Sequence, residues 1–255
     1  MTLTPPPRKH LIKEARAARE FAHMAVRLLH PSSHRIQTEP VMLLPGFGAS
    51  DRAMMPMLHM LRRHAVHAEG WNLGRNLAGL NLKHSLDDLP SSWAIDPIAE
   101  YRGEAGFAYL SNLLIERVQQ RSKELKSKLT LIGWSLGGSL AREAARETPV
   151  HVKQIITLGS PVVGGPKYTA AGQRLKNQGI DVDWIEKQMQ RREERPIEVP
   201  ITAIVSPSDG IVGYRAARDV YSPNVRHIDM NVSHLGMPLN PKVWDVVLDS
   251  IQAHH

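Results

Sequence analysis

Two kinds of hydrophobic pattern alternate along this chain. Short runs bounded by turn-forming residues read as strands: Pro40 to Pro45 (PVMLLP), Val66 to Trp71, Leu129 to Ile132, Gln154 to Leu158, Pro200 to Ser206 and Val225 to Met230. Between them lie stretches of helical period. One runs from about Pro56 to His64, with Pro56 suited to a first turn where its missing N–H is not needed. A longer one covers Tyr101 to Lys128 and is amphipathic through Phe107, Leu110, Leu113, Leu114 and Val118. Another follows Gly138, and a last one covers Pro241 to Ala253. Residues 77–97 show little pattern and read as a long loop. Strand alternating with helix predicts an α/β fold, a mostly parallel central sheet with helices on both faces. Such sheets gather their active residues at the C-terminal ends of the strands.

Two segments stand apart from this alternation. Leu11, Ala15, Ala18, Ala22, Ala25 and Leu29 recur at helical spacing, which predicts an amphipathic N-terminal helix, followed by a polar linker from Pro31 to Pro40. This sets off residues 1–39 from a main domain at 40–255. Within that domain, an insert at about 162–199 fits helices better than strands. Ile180, Val182, Trp184, Ile185 and Met189 would form its inward face, while Lys187, Arg191, Arg192, Glu193, Glu194 and Arg195 would face water.

Charge changes the picture mainly at the N-terminus. The net charge is +7, and more than half of it lies in the first thirty residues, where Arg8, Lys9, Lys13, Arg16, Arg19 and Arg27 oppose Glu14 and Glu20. A basic amphipathic helix fits peripheral contact with an anionic membrane surface. Alanine offers little area for insertion, which favours docking on the main domain through the Ala-rich face. Nucleic acid is not an expected partner, because aromatic content is 5% and no basic run is interleaved with aromatics. The chain has no cysteine, which excludes disulfides, thiolate catalysis and Cys-based metal sites and fits a reducing compartment. No apolar leader pattern opens the sequence and no run of 18 apolar residues occurs. The expected location is cytoplasmic, peripheral at the membrane surface if the helix is used there. No H-E-x-x-H or comparable ligand spacing occurs among the 13 histidines, so no metal and no cofactor is expected.

The candidate chemistry centres on Thr130 to Gly138, TLIGWSLGG. An apolar strand, a Gly-x-Ser-x-Gly turn and a helix-forming segment follow one another, the context of a nucleophile elbow with Ser135 at its tip. A serine hydroxyl needs a base, and the base needs an orienting group. Asp209, in the SPSDG turn after a strand, and His234, in the NVSHLG loop before the last helix, follow Ser135 in the order Ser, acid, His. Asp181 and Asp183 lie in the polar insert, and Asp245 and Asp249 come after His234, so none of them fits as the acid. The N–H of Leu136, next to the nucleophile, and that of Phe47, in the Gly46-Phe47-Gly48 loop after the first strand, are the candidate oxyanion donors. Trp134, Trp184 and Met54 are candidate pocket residues, although the Met54, Met55, Met57 and Met60 cluster also suits core filling. Arg75 or Asn76 fits either a substrate contact or a buried anchor for its loop.

These motifs together resemble the α/β-hydrolase family, in particular bacterial lipase- and esterase-like members. LPGFG is similar to the lipase oxyanion loop, with Pro45 where many members have His. GWSLGG resembles the elbow, LGSPVVGG (Leu158 to Gly165) a strand-end segment of lipases, and SPSDGIV and SHLG the acid and histidine loops. The resemblance implies an α/β-hydrolase fold with a short helical cap. It also implies a serine hydrolase cleaving small-molecule or lipid carboxylic esters through an acyl-enzyme. Acyl transfer at the same triad and a catalytically silent binding protein are the alternatives. Neither the acyl chain length nor the oligomeric state is legible.

Overall fold

A computed structural model describes residues 3–29, 35–93, 95–98 and 100–253. Residues 31–34 of the expected linker lie outside the described residues. Six strands, β1 (Val41–Leu44), β2 (Ala68–Gly70), β3 (Leu129–Trp134), β4 (Val152–Leu158), β5 (Ile201–Val205) and β6 (Val225–Asp229), form one sheet in the order β2-β1-β3-β4-β5-β6. All neighbouring pairs are parallel. This is the α/β-hydrolase fold.

The strands are apolar on both faces because each face is covered by helices. Val41, Leu43, Ile132, Ile156 and Ile204 pack against α3 (Asp51–Arg63) and α8 (Pro241–Ala253), through Met57, Leu61, Trp244 and Val247. Met42, Leu44, Leu131 and Ile155 point the other way, onto α4 (Gly106–Leu125) and α5 (Leu136–Glu147), through Leu114, Val118, Leu140 and Ala144. The period-2 alternation of side chains divides the core into these two layers.

Helix α3 starts earlier than Pro56 would suggest, so Pro56 lies inside it. The Asp51 carboxylate accepts the N–H groups of Trp71 and Asn72 at 3.1 Å each, which fixes the first turn to the end of β2. Burial of Met54, Met57, Leu58 and Leu61 offsets the roughly 3 kcal/mol that an internal proline costs. Helix α4 is shorter than its hydrophobic pattern at both ends. It starts at Gly106 and stops at Lys126, which takes the left-handed conformation at φ 51°.

The N-terminal pattern folds as α1 (Lys9–Lys13) and α2 (Arg16–Leu29). Their orientation reverses the expectation of docking through the Ala-rich face. Leu11, Ala15, Ala18, Ala22, Ala25 and Leu29 are exposed, while Glu14, Glu20 and Met24 are buried against the domain. Between β4 and β5 the chain forms α6 (Gly172–Asn177) and α7 (Val182–Arg192), the cap. Lys187, with Arg191 and Gln188, holds the Asp96 carboxyl down to about 2 and ties the cap to the loop before α4.

Not all the charges of α7 face water. Arg192 is buried and the Glu193 side chain is only 7% exposed, both in a network with α5. Arg192 pairs with Glu143 at 2.9 Å and with Glu147, while Glu193 pairs with Arg142 at 2.8 Å and Arg146 at 2.7 Å. Each buried charge has partners, which is what permits burial. Asp181 is exposed and caps α7, accepting the N–H groups of Asp183 and Trp184.

Candidate active site

The turn from β3 into α5 lifts Ser135 out of the sheet. Its backbone sits at φ 54° and ψ −125°, a region costly for a residue with a side chain. The turn is held by the strand before it, the helix after it, and the Ser135 N–H, which donates to the Leu158 carbonyl at 2.8 Å. Any Cβ at Gly133 would overlap Gly138, and one at Gly137 would overlap the Leu44 carbonyl. Both glycines are therefore required by close backbone approach.

Asp209 and His234 meet although they lie on different loops. The Asp209 Oδ2 is 2.7 Å from His234 Nδ1, and Oδ1 accepts the N–H groups of Ile211 and Val212 at 2.7 Å each. Asp209 is 3% exposed and His234 2%. Ser206 joins the two loops: its hydroxyl donates to the Val232 carbonyl at 2.7 Å and accepts the N–H of Ser208 at 3.1 Å. On the other side, Trp134 Nε1–H donates to the His234 carbonyl at 3.1 Å, with the two rings tilted at 41°.

Ser135, His234, Phe47, Leu136 and Trp134 all line one cavity of about 310 Å³. The rest of its wall is mostly apolar: Leu80, Phe107, Ile211, Val212 and Leu235 from the domain, and Leu175, Ile180, Ile185 and Met189 from the cap. The loop bearing Phe47 is pinned by Asn76, which is buried. Its amide donates to the Pro45 carbonyl at 2.7 Å and its backbone pairs with Gly48 and Ala49. Asn76 is thus a loop anchor, while Arg75 is exposed.

Two expected pocket residues lie elsewhere. Ile185 and Met189, one turn apart, set the face of α7 that meets the cavity, and Trp184 is turned about 100° away and does not line it. Met54 is 1% exposed and packs in the core beneath the sheet, because α3 presents residues 54, 57, 58 and 61 to that layer. Sequence reasoning missed the N-terminal segment as part of the site. Glu14 and Glu20 reach the Asp209 and His234 loops, and the only signal was that both are acidic in a basic stretch. Among the described residues, no group of three or more His, Asp or Glu side chains is arranged to hold a metal ion. No helix among them is long and apolar enough to cross a membrane.

Solved structures of this fold resemble the chain. The mature form of Bacillus licheniformis lipase BlEst2 matches with a TM-score of 0.60 at 13% identity, covering 88% of this chain and 96% of the lipase. Paleococcus ferrophilus monoacylglycerol lipase matches at 0.56 and 12% identity, covering 86% of this chain and 97% of its own. Bacillus subtilis naproxen esterase matches at 0.54 and 15%, with 86% and 85% covered. No curated protein matches the chain. The PGAP1-like alpha/beta domain family matches residues 105–245, which include the elbow, the cap and the Asp209 and His234 loops. That is more than half of the chain, and the protein belongs to the PGAP1-like alpha/beta domain family of α/β-hydrolases.

Proposed function

We propose that the protein is a serine hydrolase of carboxylic esters, of esterase or lipase type. One observation carries this reading: a strained elbow serine shares an apolar cavity with a histidine whose Nδ1 is held by a buried carboxylate. Ser135 Oγ attacks the acyl carbon while His234 Nε2 takes its proton. The carbonyl electron pair moves onto oxygen, where the N–H groups of Phe47 and Leu136 stabilise it. Asp209 keeps the Nδ1 proton in place and stabilises the imidazolium. Collapse breaks the ester C–O bond, and the alcohol leaves with the proton from His234. Water then attacks the acyl-Ser135 in the same way, releasing the carboxylic acid. The apolar wall suits an acyl chain, and the neighbouring structures named as lipases and esterases support the same reaction class.

Nitrophenyl esters from acetyl to palmitoyl, given to the native protein and to Ser135→Ala, test this. Activity should fall at least about a thousandfold in the variant. Equal activity in both proteins would refute the serine mechanism. The chain-length optimum divides esterase from lipase.

The lipid end of that substrate range gives α2 a role. Ala18, Phe21, Ala22, Ala25, Val26 and Leu29 form one exposed apolar sector with Arg19 at its edge, while Arg16 and Arg27 turn to the domain and bond Asn231 at 3.0 Å and Asp245 at 3.2 Å. An exposed apolar face edged by a cation fits the interface of an anionic bilayer. Co-sedimentation with phosphatidylglycerol-containing vesicles should capture the native protein and lose Phe21→Glu and Leu29→Glu. Vesicle binding unchanged in both variants, or a dimer that both variants dissociate, would overturn this assignment.

A further inference from the structure

Glu14 and Glu20 are the acidic residues of the basic N-terminal segment, and both are buried. A buried carboxylate needs strong donors. Among the described residues neither makes an ion pair; both are satisfied by N–H and O–H groups. Glu14 lies at the break between α1 and α2. Its Oε1 accepts the N–H of Gly210 at 2.8 Å and of His234 at 3.0 Å, and its Oε2 accepts the N–H of Leu235 at 2.9 Å. Glu20 Oε1 accepts the N–H of Ser233 at 3.2 Å and the Asn240 amide at 3.2 Å, and the Ser233 hydroxyl donates to Oε2.

These donors are not scattered over the domain. Gly210 follows Asp209, and Ser233, His234 and Leu235 are the histidine loop itself. The loops are also shaped for the arm. A Cβ at Gly236 would overlap the Glu20 carboxylate, and one at Gly210 would come within 2.6 Å of the His10 carbonyl. The His234 backbone is therefore gripped from two sides, its N–H by Glu14 and its carbonyl by Trp134. A helix that merely covered the domain would be held by apolar contacts, of which Met24 and Leu28 supply the main ones. The two groups costliest to bury instead converge on the loops that carry Asp209 and His234.

We propose that Glu14 and Glu20 are positioning residues for Asp209 and His234, which makes the N-terminal arm part of the active site. The proposal rests on the serine hydrolase reading for its kinetic readout, but the geometry it invokes is measurable without any turnover. The test uses the full-length protein with Glu14→Gln, Glu20→Gln and the double change. Glutamine keeps the size, but both Glu14 oxygens accept backbone N–H groups, so its NH2 must face at least one of them. His23→Gln, at an exposed position of α2, is the control.

Nitrophenyl ester hydrolysis should lose roughly 10²-fold in kcat in the double variant with KM little changed, the cost of a small misplacement. The proton NMR resonance of the His234 Nδ1–H, assigned by its loss in His234→Ala, should shift or broaden in the Glu variants and stay put in His23→Gln. If the Gln variants do not fold, Ser233→Ala removes one donor from the Glu20 carboxylate and should give a smaller change in the same direction. A lowered melting temperature with kcat and the resonance unchanged would overturn the proposal and leave the glutamates a structural role. A native protein without esterase activity, whose resonance still moves in the Glu variants, would sink the hydrolase reading and leave the positioning intact.

Discussion

Replacing Asp209 by Asn separates orientation from charge in a way the structure makes quantitative. Asp209 Oδ1 accepts two backbone N–H groups at 2.7 Å, and Oδ2 faces His234 Nδ1 at 2.7 Å. In the Asp209→Asn variant the amide oxygen stays with the two backbone donors, so its NH2 points at Nδ1. Nδ1 must then be the acceptor and the ring proton moves to Nε2, where it blocks proton uptake from Ser135. The alternative is to flip the amide, which sets the NH2 against both backbone N–H groups. Leaving each buried donor unsatisfied costs about 1–3 kcal/mol, so the productive arrangement lies about 2–6 kcal/mol higher. At about 1.4 kcal/mol per decade, kcat/KM should fall between about 30-fold and about 2 × 10⁴-fold. The assay is hydrolysis of a short nitrophenyl ester, with the folded fraction checked by melting. A loss under about threefold in a fully folded variant would refute both the tautomer argument and the assignment of Asp209 as the orienting acid.

Other consequences follow from the same geometry. Gly133→Ala should lower the melting temperature by roughly 2–12 °C, from about 1–3 kcal/mol of overpacking against Gly138, and an unchanged melt would contradict the close packing at the elbow. Arg142→Met leaves Glu193 and Asp219 buried without this partner and should cost about 3–5 kcal/mol in urea unfolding near neutral pH. Burial alone would raise the Asp219 carboxyl, but Arg142 and the N–H groups of Tyr221 and Ser222 outweigh it and hold it below the ordinary range. The native advantage is therefore present above the unfolded carboxylate pKa near about 3.9 and is lost as pH falls through the lower folded value. The gap between native and variant should narrow in acid; a gap that widened would reverse the sign. Ile185→Trp should fill the cavity from the cap side and cut palmitoyl relative to acetyl ester hydrolysis by about tenfold or more. An unchanged chain-length profile would remove α7 from the acyl pocket.

The parts of this molecule legible in the sequence are those with local causes. The elbow is written in its own short motif, where a Cβ at Gly133 would meet the backbone of Gly137 and Gly138 a few residues on, and Asp209 sits in a turn made by its own neighbours. Strand and helix alternation gave the parallel sheet because both faces of a parallel sheet are buried and its strands must be apolar throughout. The errors have non-local causes. Trp184 and Ile185 are adjacent, and which of them meets the cavity depends on the rotation of α7, set by partners on α5 and in the loop at Asp96. Arg192 and Glu193 read as surface charges because nothing near them in sequence shows that Glu143, Glu147, Arg142 and Arg146 wait beneath.

The N-terminal arm is the most instructive case, since its pattern was right and its direction wrong. Apolar periodicity assigns the apolar side of a helix to the core when no other apolar medium is considered. Here the inward side is carried by Glu14 and Glu20, whose donors lie about two hundred residues away in sequence. A carboxylate is informative about burial only once its donors are known, and periodicity carries no information about donors. An arm that is polar towards its own domain and apolar outwards is inverted relative to an ordinary docked helix. Inversion of this kind is costly in water alone, because it buries charge and exposes Ile12, Phe21, Val26 and Leu29 at once. Two separate returns would offset that cost: the inner carboxylates hold the histidine loop, and the outer apolar sector is proposed to meet a lipid surface. Either one alone leaves half of the inversion without a physical reason.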